Sequence, residues 1–135
     1  EAYGRGPALQ ARMQKRLSKV ELSAAEKSLL RLCDGDPWQW SNQLLGKALK
    51  QKNVAALEEL DRHARYLAEG LGSVANILNP DLIVLGGGLT QIGKPLFSAI
   101  EQHIGQRFIA GRVKIRRAHL GSEVGIYGAI ALCRQ

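Results

Sequence analysis

Cysteine is almost missing from this sequence. Cys33 and Cys133 sit in no metal-ligand spacing, and two lone thiols fit a reducing cytoplasm, which is the expected location. Aromatic residues make up only 5% of the chain, so Leu, Ile, Val and Ala have to fill whatever core it builds. No apolar run approaches the roughly 20 residues that a bilayer-crossing helix needs, and membrane partners are not expected. The first residues, Glu1-Ala2-Tyr3-Gly4-Arg5-Gly6, have neither the basic head nor the apolar stretch of a secretion signal. They also lack an initiator Met, which suggests an internal cut point at Glu1.

What is present suits one compact domain: 135 residues, 45% of them hydrophobic. The net charge of +7 raises the question of a nucleic-acid partner. Its cations group mildly, with Arg12, Lys15, Arg16 and Lys19 on one expected helix and Arg112, Lys114, Arg116 and Arg117 on one expected strand. No aromatics interleave with them to stack bases and no helix-turn-helix pattern is evident, so solvated faces are the simpler reading.

Along the chain, a helix is expected over residues 1–19, with its regular part starting near Pro7. Ser23 and Glu26 have the form of a capping box, opening a helix that should end near Asp34-Gly35. Asp36-Pro37 should start another, carrying Trp38, Leu44, Leu45, Ala48 and Leu49. From Val54 to Leu78, the residues Leu57, Leu60, Ala64, Leu67, Leu71, Val74 and Leu78 recur in steps of three and four, predicting one long amphipathic helix ended by Asn79-Pro80. Gly70 and Gly72 within it suggest a closely packed neighbour. Leu82-Ile83-Val84-Leu85 reads as a strand buried on both faces. Leu96, Ile100 and Ile104 mark a further helix, Val113 and Ile115 a second strand, and residues 122–132 a closing helix rich in small side chains. Such a layout is α/β, with few parallel strands packed by several helices. Two strands are too few for the helices around them, so the sheet should continue in missing sequence or in another copy of the chain.

Nine of the fifteen glycines fall between Gly86 and Gly128. Three of them, Gly86-Gly87-Gly88, follow the most apolar strand, at the carboxyl end where ligands of open α/β sheets bind. Bare backbone there lets a flat or anionic ligand approach; a tight turn is the plainer alternative. The run is neither a GxGxxG fingerprint nor a P-loop, since no Gly-Lys-Ser/Thr follows. Gly125, Gly128 and Ala129 give a small helix face suited to close packing. Asp34, Asp36, Asp61 and Asp81 occupy caps, a helix surface and a strand start, not the setting of a buried base. His63, His103 and His119 are expected to be packing or surface residues.

Taken together, these stretches resemble the C-terminal portion of the ROK family (repressors, open reading frames and kinases) of the actin and hexokinase superfamily. Asn79 to Thr90 resembles the family's adenosine motif, which implies nucleotide contacts from Gly86, Gly87, Gly88 and Leu89. Gly125 to Ala129 resembles its second connecting motif, implying lobe-hinge packing by Gly125, Gly128 and Ala129. Glu1-Ala2-Tyr3-x-x-Gly6-x-Ala8-Leu9 resembles the segment after its zinc-binding cysteine motif, which makes Glu1 the implied sugar ligand. The resemblance spans nearly the whole chain and is weakest from Arg12 to Lys52.

By that resemblance the fold is the C-terminal part of an actin-like (ribonuclease H-like) ATPase lobe. It divides into a helical segment (1–52), a long helix, strand and adenosine motif (53–90), and a strand with closing helix (91–135). The implied function is one lobe of an ATP-dependent kinase of a hexose or N-acetylhexosamine. ATP with Mg would bind in the intact parent, and a structural zinc would sit upstream of Glu1. The catalytic Asp and phosphate loops are also expected upstream, so no catalytic residue and no metal ligand is assigned here and the chain alone should be inactive. Expected partners are sugar, ATP, the missing N-terminal lobe and further copies of the chain. The alternative is the effector-binding lobe of a sugar-responsive repressor, the one case that would bring in nucleic acid. A fragment that only associates through its unfinished sheet is the third reading.

Overall fold

In the computed structural model, which describes residues 6–105 and 113–119, α1 runs from Gly6 to Leu17. Pro7 lies in its first turn, where the missing N–H breaks no helical bond. Leu9, Met13 and Leu17, four apart, are its buried residues. The expectations for Glu1, for the closing helix and for Gly125, Gly128 and Ala129 lie outside the described residues.

α2 (Ala24–Arg31) opens on the expected capping box. The Glu26 amide donates to the Ser23 hydroxyl at 3.3 Å, and the Ser23 amide donates to the Glu26 carboxylate at 2.9 Å. The helix ends earlier than Asp34-Gly35. The chain turns over residues 32–35, with the Gly35 amide donating to the Leu30 carbonyl at 3.0 Å and positive φ at Asp34 and Gly35.

The single helix expected from Asp36-Pro37 to Leu49 is two pieces. Asp36 caps a 3-10 turn at Pro37–Gln39, its carboxylate accepting from the Trp38 amide at 2.9 Å. Trp40 and Ser41 are extended, and α3 then covers Asn42–Lys50. The break turns Trp40 into the core at 1% exposure and leaves Trp38 outside at 70%. Burying the larger apolar surface of one indole outweighs the few helical bonds given up.

α4 (Val54–Leu78) has the expected bounds, because both ends are fixed locally. Asn53 accepts from the Ala56 amide at 3.1 Å, and Asn79 takes the left-handed C-cap conformation. Its buried face differs from the expected stripe. Leu60 and Ala64 are buried and Leu67 and Leu71 half-buried, whereas Leu57, Val74 and Leu78 are exposed. The buried positions are mostly small: Ala55, Ala56, Ala64, Ala68, Gly72 and Ala75. Small side chains let α5 (Lys94–Gly105) lie closely along α4, and these two helices share the most extensive contact among the described elements. Gly72 is buried on this helix. Gly70 does not have the expected close neighbour, since a Cβ there would meet no atom within 4 Å.

β1 (Leu82–Leu85) pairs in parallel with β2 (Lys114–Arg117), placing Ile83 opposite Ile115. α5 makes the crossover between them and buries Leu96, Ile100 and Ile104, as its spacing predicts. Contrary to expectation, β1 is not buried on both faces: Leu82 and Val84 are 47% and 55% exposed. The two-stranded sheet is covered on the side of Ile83 and Ile115, and no layer among the described residues covers the other side. Val74, Ile77 and Leu78, in the α4 turns leading to β1, are exposed as well. No helix among the described residues is long and apolar enough to cross a membrane.

Candidate functional site

Beyond Leu85 the chain leaves the sheet through the three glycines, and each has its own task. The Leu85 carbonyl still accepts from the Ala118 amide at 2.8 Å. Gly86 passes beside Ala118, where an added Cβ would make ordinary contact at 3.6 Å. Gly87 adopts φ 96° and ψ 174°, a region that side-chain-bearing residues rarely enter. Its carbonyl is held twice by Thr90, from the backbone amide at 3.1 Å and the hydroxyl at 2.7 Å. Thr90 is itself buried, so the strained turn is anchored to the core. A 3-10 segment, Gly88–Ile92, follows and closes at Gly93, also at positive φ. Leu89 is half-buried and packs onto the core, while Gly88 is exposed.

A cavity of about 770 Å³ opens at this carboxyl end of β1, within the range of small-molecule sites. One wall is the 3-10 segment, with Gly88, Gln91 and Ile92; the other is α3, with Asn42, Gly46, Lys47 and Lys50. Of the four residues that the sequence singles out for nucleotide, Gly88 lines the cavity. The α3 wall has no sequence motif to announce it. Gly46 is its one oddity, since glycine inside a helix costs about 1 kcal/mol relative to alanine. Lys47 and Lys50, in the last turn of α3, complement its carbonyl end and form no ion pair among the described residues.

The start of α1 touches both walls. A Cβ on Gly6 would lie 3.2 Å from Asn42 Nδ2 and 3.5 Å from Leu89 Cγ, so this position is tight. Asn42 Nδ2 donates to the Gly6 carbonyl at 3.3 Å. Gly6 is thereby bonded to α3 and lies close against Leu89 of the 3-10 segment.

A second polar cluster lies between α1 and α4. Arg12 Nε donates to Glu59 Oε1 at 2.6 Å and Arg12 Nη2 to His63 Nδ1 at 2.9 Å, with Glu59 and His63 fully buried. Arginine only donates, so His63 accepts at Nδ1 and carries its proton on Nε2, which has no partner among the described residues. Burial first, and the Arg12 charge second, push the His63 pKa down to about 4. Arg16 bridges Glu26 and Glu58, both at 2.7 Å. Its hydrogen bond, with those from Ser23, holds the Glu26 carboxyl down at about 2. Lys19 falls beyond the end of α1, and two of the three cations of the row on that helix, Arg12 and Arg16, are turned onto carboxylates and are structural.

None of the aspartates has the setting of a catalytic base. Asp36 is a cap, Asp61 pairs with His103 Nε2 at 2.7 Å, and Asp34 and Asp81 are exposed. The Cys33 thiol is buried, and that burial pushes its pKa up, away from nucleophilic reactivity. No group of His, Cys, Asp and Glu among the described residues could hold a metal ion.

The ROK family model matches residues 1–135. Over 92 residues the chain is 36% identical to the glucokinase of Halalkalibacterium halodurans, a match covering 65% of this chain and 28% of that protein. Over 89 residues it is 33% identical to the N-acetyl-D-glucosamine kinase of Salmonella paratyphi B, covering 62% and 28%. The crystal structure of a ROK family glucokinase from Streptomyces griseus, in complex with glucose and AMPPNP, matches with a TM-score of 0.87 at 26% identity, over 100% of this chain and 44% of that one. The chain spans less than half the length of these relatives. The fold is the expected one, part of an actin-like ATPase lobe in which two parallel strands carry several helices.

Proposed function

Because this chain belongs to the ROK family, we propose that it is one lobe of an ATP-dependent sugar kinase and supplies the adenosine wall of the nucleotide cleft. The observation that carries this reading is the cavity at the carboxyl end of β1, with Gly88 bare on its wall and a strained glycine turn anchored beneath it. The relatives named as kinases and the nucleotide analogue in the Streptomyces structure support it over the repressor alternative. Glucokinase and N-acetylglucosamine kinase both appear among the relatives, so the sugar is a hexose or an N-acetylhexosamine.

Phosphoryl transfer to a sugar hydroxyl needs a base for that hydroxyl and a magnesium-bearing cradle for the β- and γ-phosphates. The described residues offer neither, so the contribution of this lobe is binding and positioning. Gly86 and Gly87 set the path of the turn, Leu89 and Thr90 tie it to the core, and Gly88 leaves room for the nucleoside. Gly6, wedged between Asn42 and Leu89, couples that turn to the segment in which Glu1 would meet the sugar. Gly125, Gly128 and Ala129 would pack at the hinge on which the lobes close and exclude water. The zinc of the family motif, homo-oligomer formation and a cytoplasmic location belong to this same reading.

The test is Gly88→Val in the intact protein. Gly88 is at ordinary φ and a Cβ there meets no atom within 4 Å, so the change fills the cavity without straining the turn, unlike any change at Gly87. The KM for ATP should rise at least tenfold, with sugar affinity measured without nucleotide unchanged. A folded Gly88→Val protein with wild-type ATP kinetics would reduce the glycines to a turn and remove the main support for a kinase.

A further inference from the structure

We propose that the nucleobase lies flat between two bare stretches of backbone, Gly88 of the 3-10 segment and Gly46 of α3, which makes Gly46 a determinant of nucleotide affinity. The inference rests on the nucleotide reading above and adds the opposite wall to it.

Glycine inside a helix needs a reason, and two ordinary ones fail at Gly46. It is not among the residues at positive φ, so its backbone is open to any L residue. An added Cβ would meet nothing within 4 Å, so no neighbouring element packs against it. What Gly46 does face is the cavity that Gly88 also lines, where a Cβ likewise meets nothing. Two residues 42 positions apart in sequence thus present Cβ-less backbone to one cavity from two different elements. Bare backbone on both walls leaves room for a flat ring to approach closely, which a bulky or branched ligand would not need. The surroundings suit the same guest. Leu49 and Ile92 give the slot an apolar lining for the ring faces, and Ser41 and Gln43 offer donors and acceptors to its edge. Lys47 and Lys50 bring positive charge to the same wall, as an anionic nucleotide requires.

The experiment titrates magnesium-ADP into the intact protein by calorimetry, for wild type, Gly46→Ala, Gly46→Leu and Gly88→Val, with a thermal melt of each. Gly46→Ala should melt at or above the wild-type temperature, because alanine favours the helix, and yet bind at least tenfold more weakly. Gly46→Leu should show no measurable binding. Should Gly46→Leu fail to fold, Gly46→Ala decides alone. If Gly46→Ala binds like wild type while Gly88→Val does not, the slot is wrong and the nucleotide site stands. If Gly46→Ala lowers the melting temperature by several degrees, the glycine serves packing and the inference falls. If wild type fails to bind magnesium-ADP, the nucleotide reading falls with it.

Discussion

Lowering the pH from 7.5 to 5 should destabilise this fold chiefly through one side chain, His63. It is wholly buried, its Nδ1 is taken by Arg12, and its Nε2–H has no partner among the described residues. Protonation would put a second, fully buried cation against the Arg12 guanidinium. With a pKa of about 4 folded against 6.5 unfolded, the unfolded chain binds the proton first as pH falls. The His63 contribution is therefore complete above pH 6.5 and disappears on the way down to pH 4. By linkage the loss is about 2 kcal/mol at pH 5 and approaches about 3.4 kcal/mol below pH 4, as upper limits. His63→Gln isolates this term, because the amide oxygen can accept from Arg12 and does not titrate. The variant should be about 1–2 kcal/mol less stable at pH 7.5 through imperfect packing. Its urea midpoint should then be nearly flat between pH 7 and 5, where that of the wild type falls. An NMR titration of the His63 ring provides the direct reading. A wild-type midpoint that is flat over this range, or a His63→Gln midpoint that falls as steeply as wild type, would refute the reasoning.

Two further outcomes test the scaffold. Ser23→Ala removes the hydroxyl half of the capping box and should cost about 1 kcal/mol at neutral pH in chemical denaturation. It should also flatten the acid branch between pH 4.5 and 2, because the Glu26 carboxyl, held down partly by Ser23, contributes above pH 4.5 and loses that contribution as pH falls towards 2. This chain by itself should associate through the uncovered face of β1, giving a dimer or larger species by light scattering, and Val84→Lys should shift it towards monomer. A sharp monomer peak from the unmutated chain would count against that face.

The features legible in the sequence are those that a few neighbouring residues decide. Ser23 with Glu26, Asn53 and Asn79 fix helix ends through bonds reaching no more than four positions, and those ends appear where expected. The glycine turn is equally local: Thr90 holds Gly87 from three residues away. What failed were decisions made by distant partners. Glu59 and His63 take buried places on α4 while Leu57 stays exposed, and Arg12, about fifty residues earlier, bonds to both. Trp40 goes inside in place of Trp38 because the chain breaks its helix to bury it. Gly46 means little in one dimension, only a weak spot in a helix, and becomes a candidate wall once folding sets it across a cavity from Gly88. The strand Leu82-Ile83-Val84-Leu85 is the instructive case. Its composition is that of a strand covered on both faces, and the described residues cover one. An apolar run reflects the final environment of a strand, so Leu82 and Val84 mark the face where a partner would be expected to pack. The Val84→Lys experiment bears on that same surface. A charge placed on it should weaken association of the chain while leaving its own core, of which Ile100 and Ile115 are part, undisturbed.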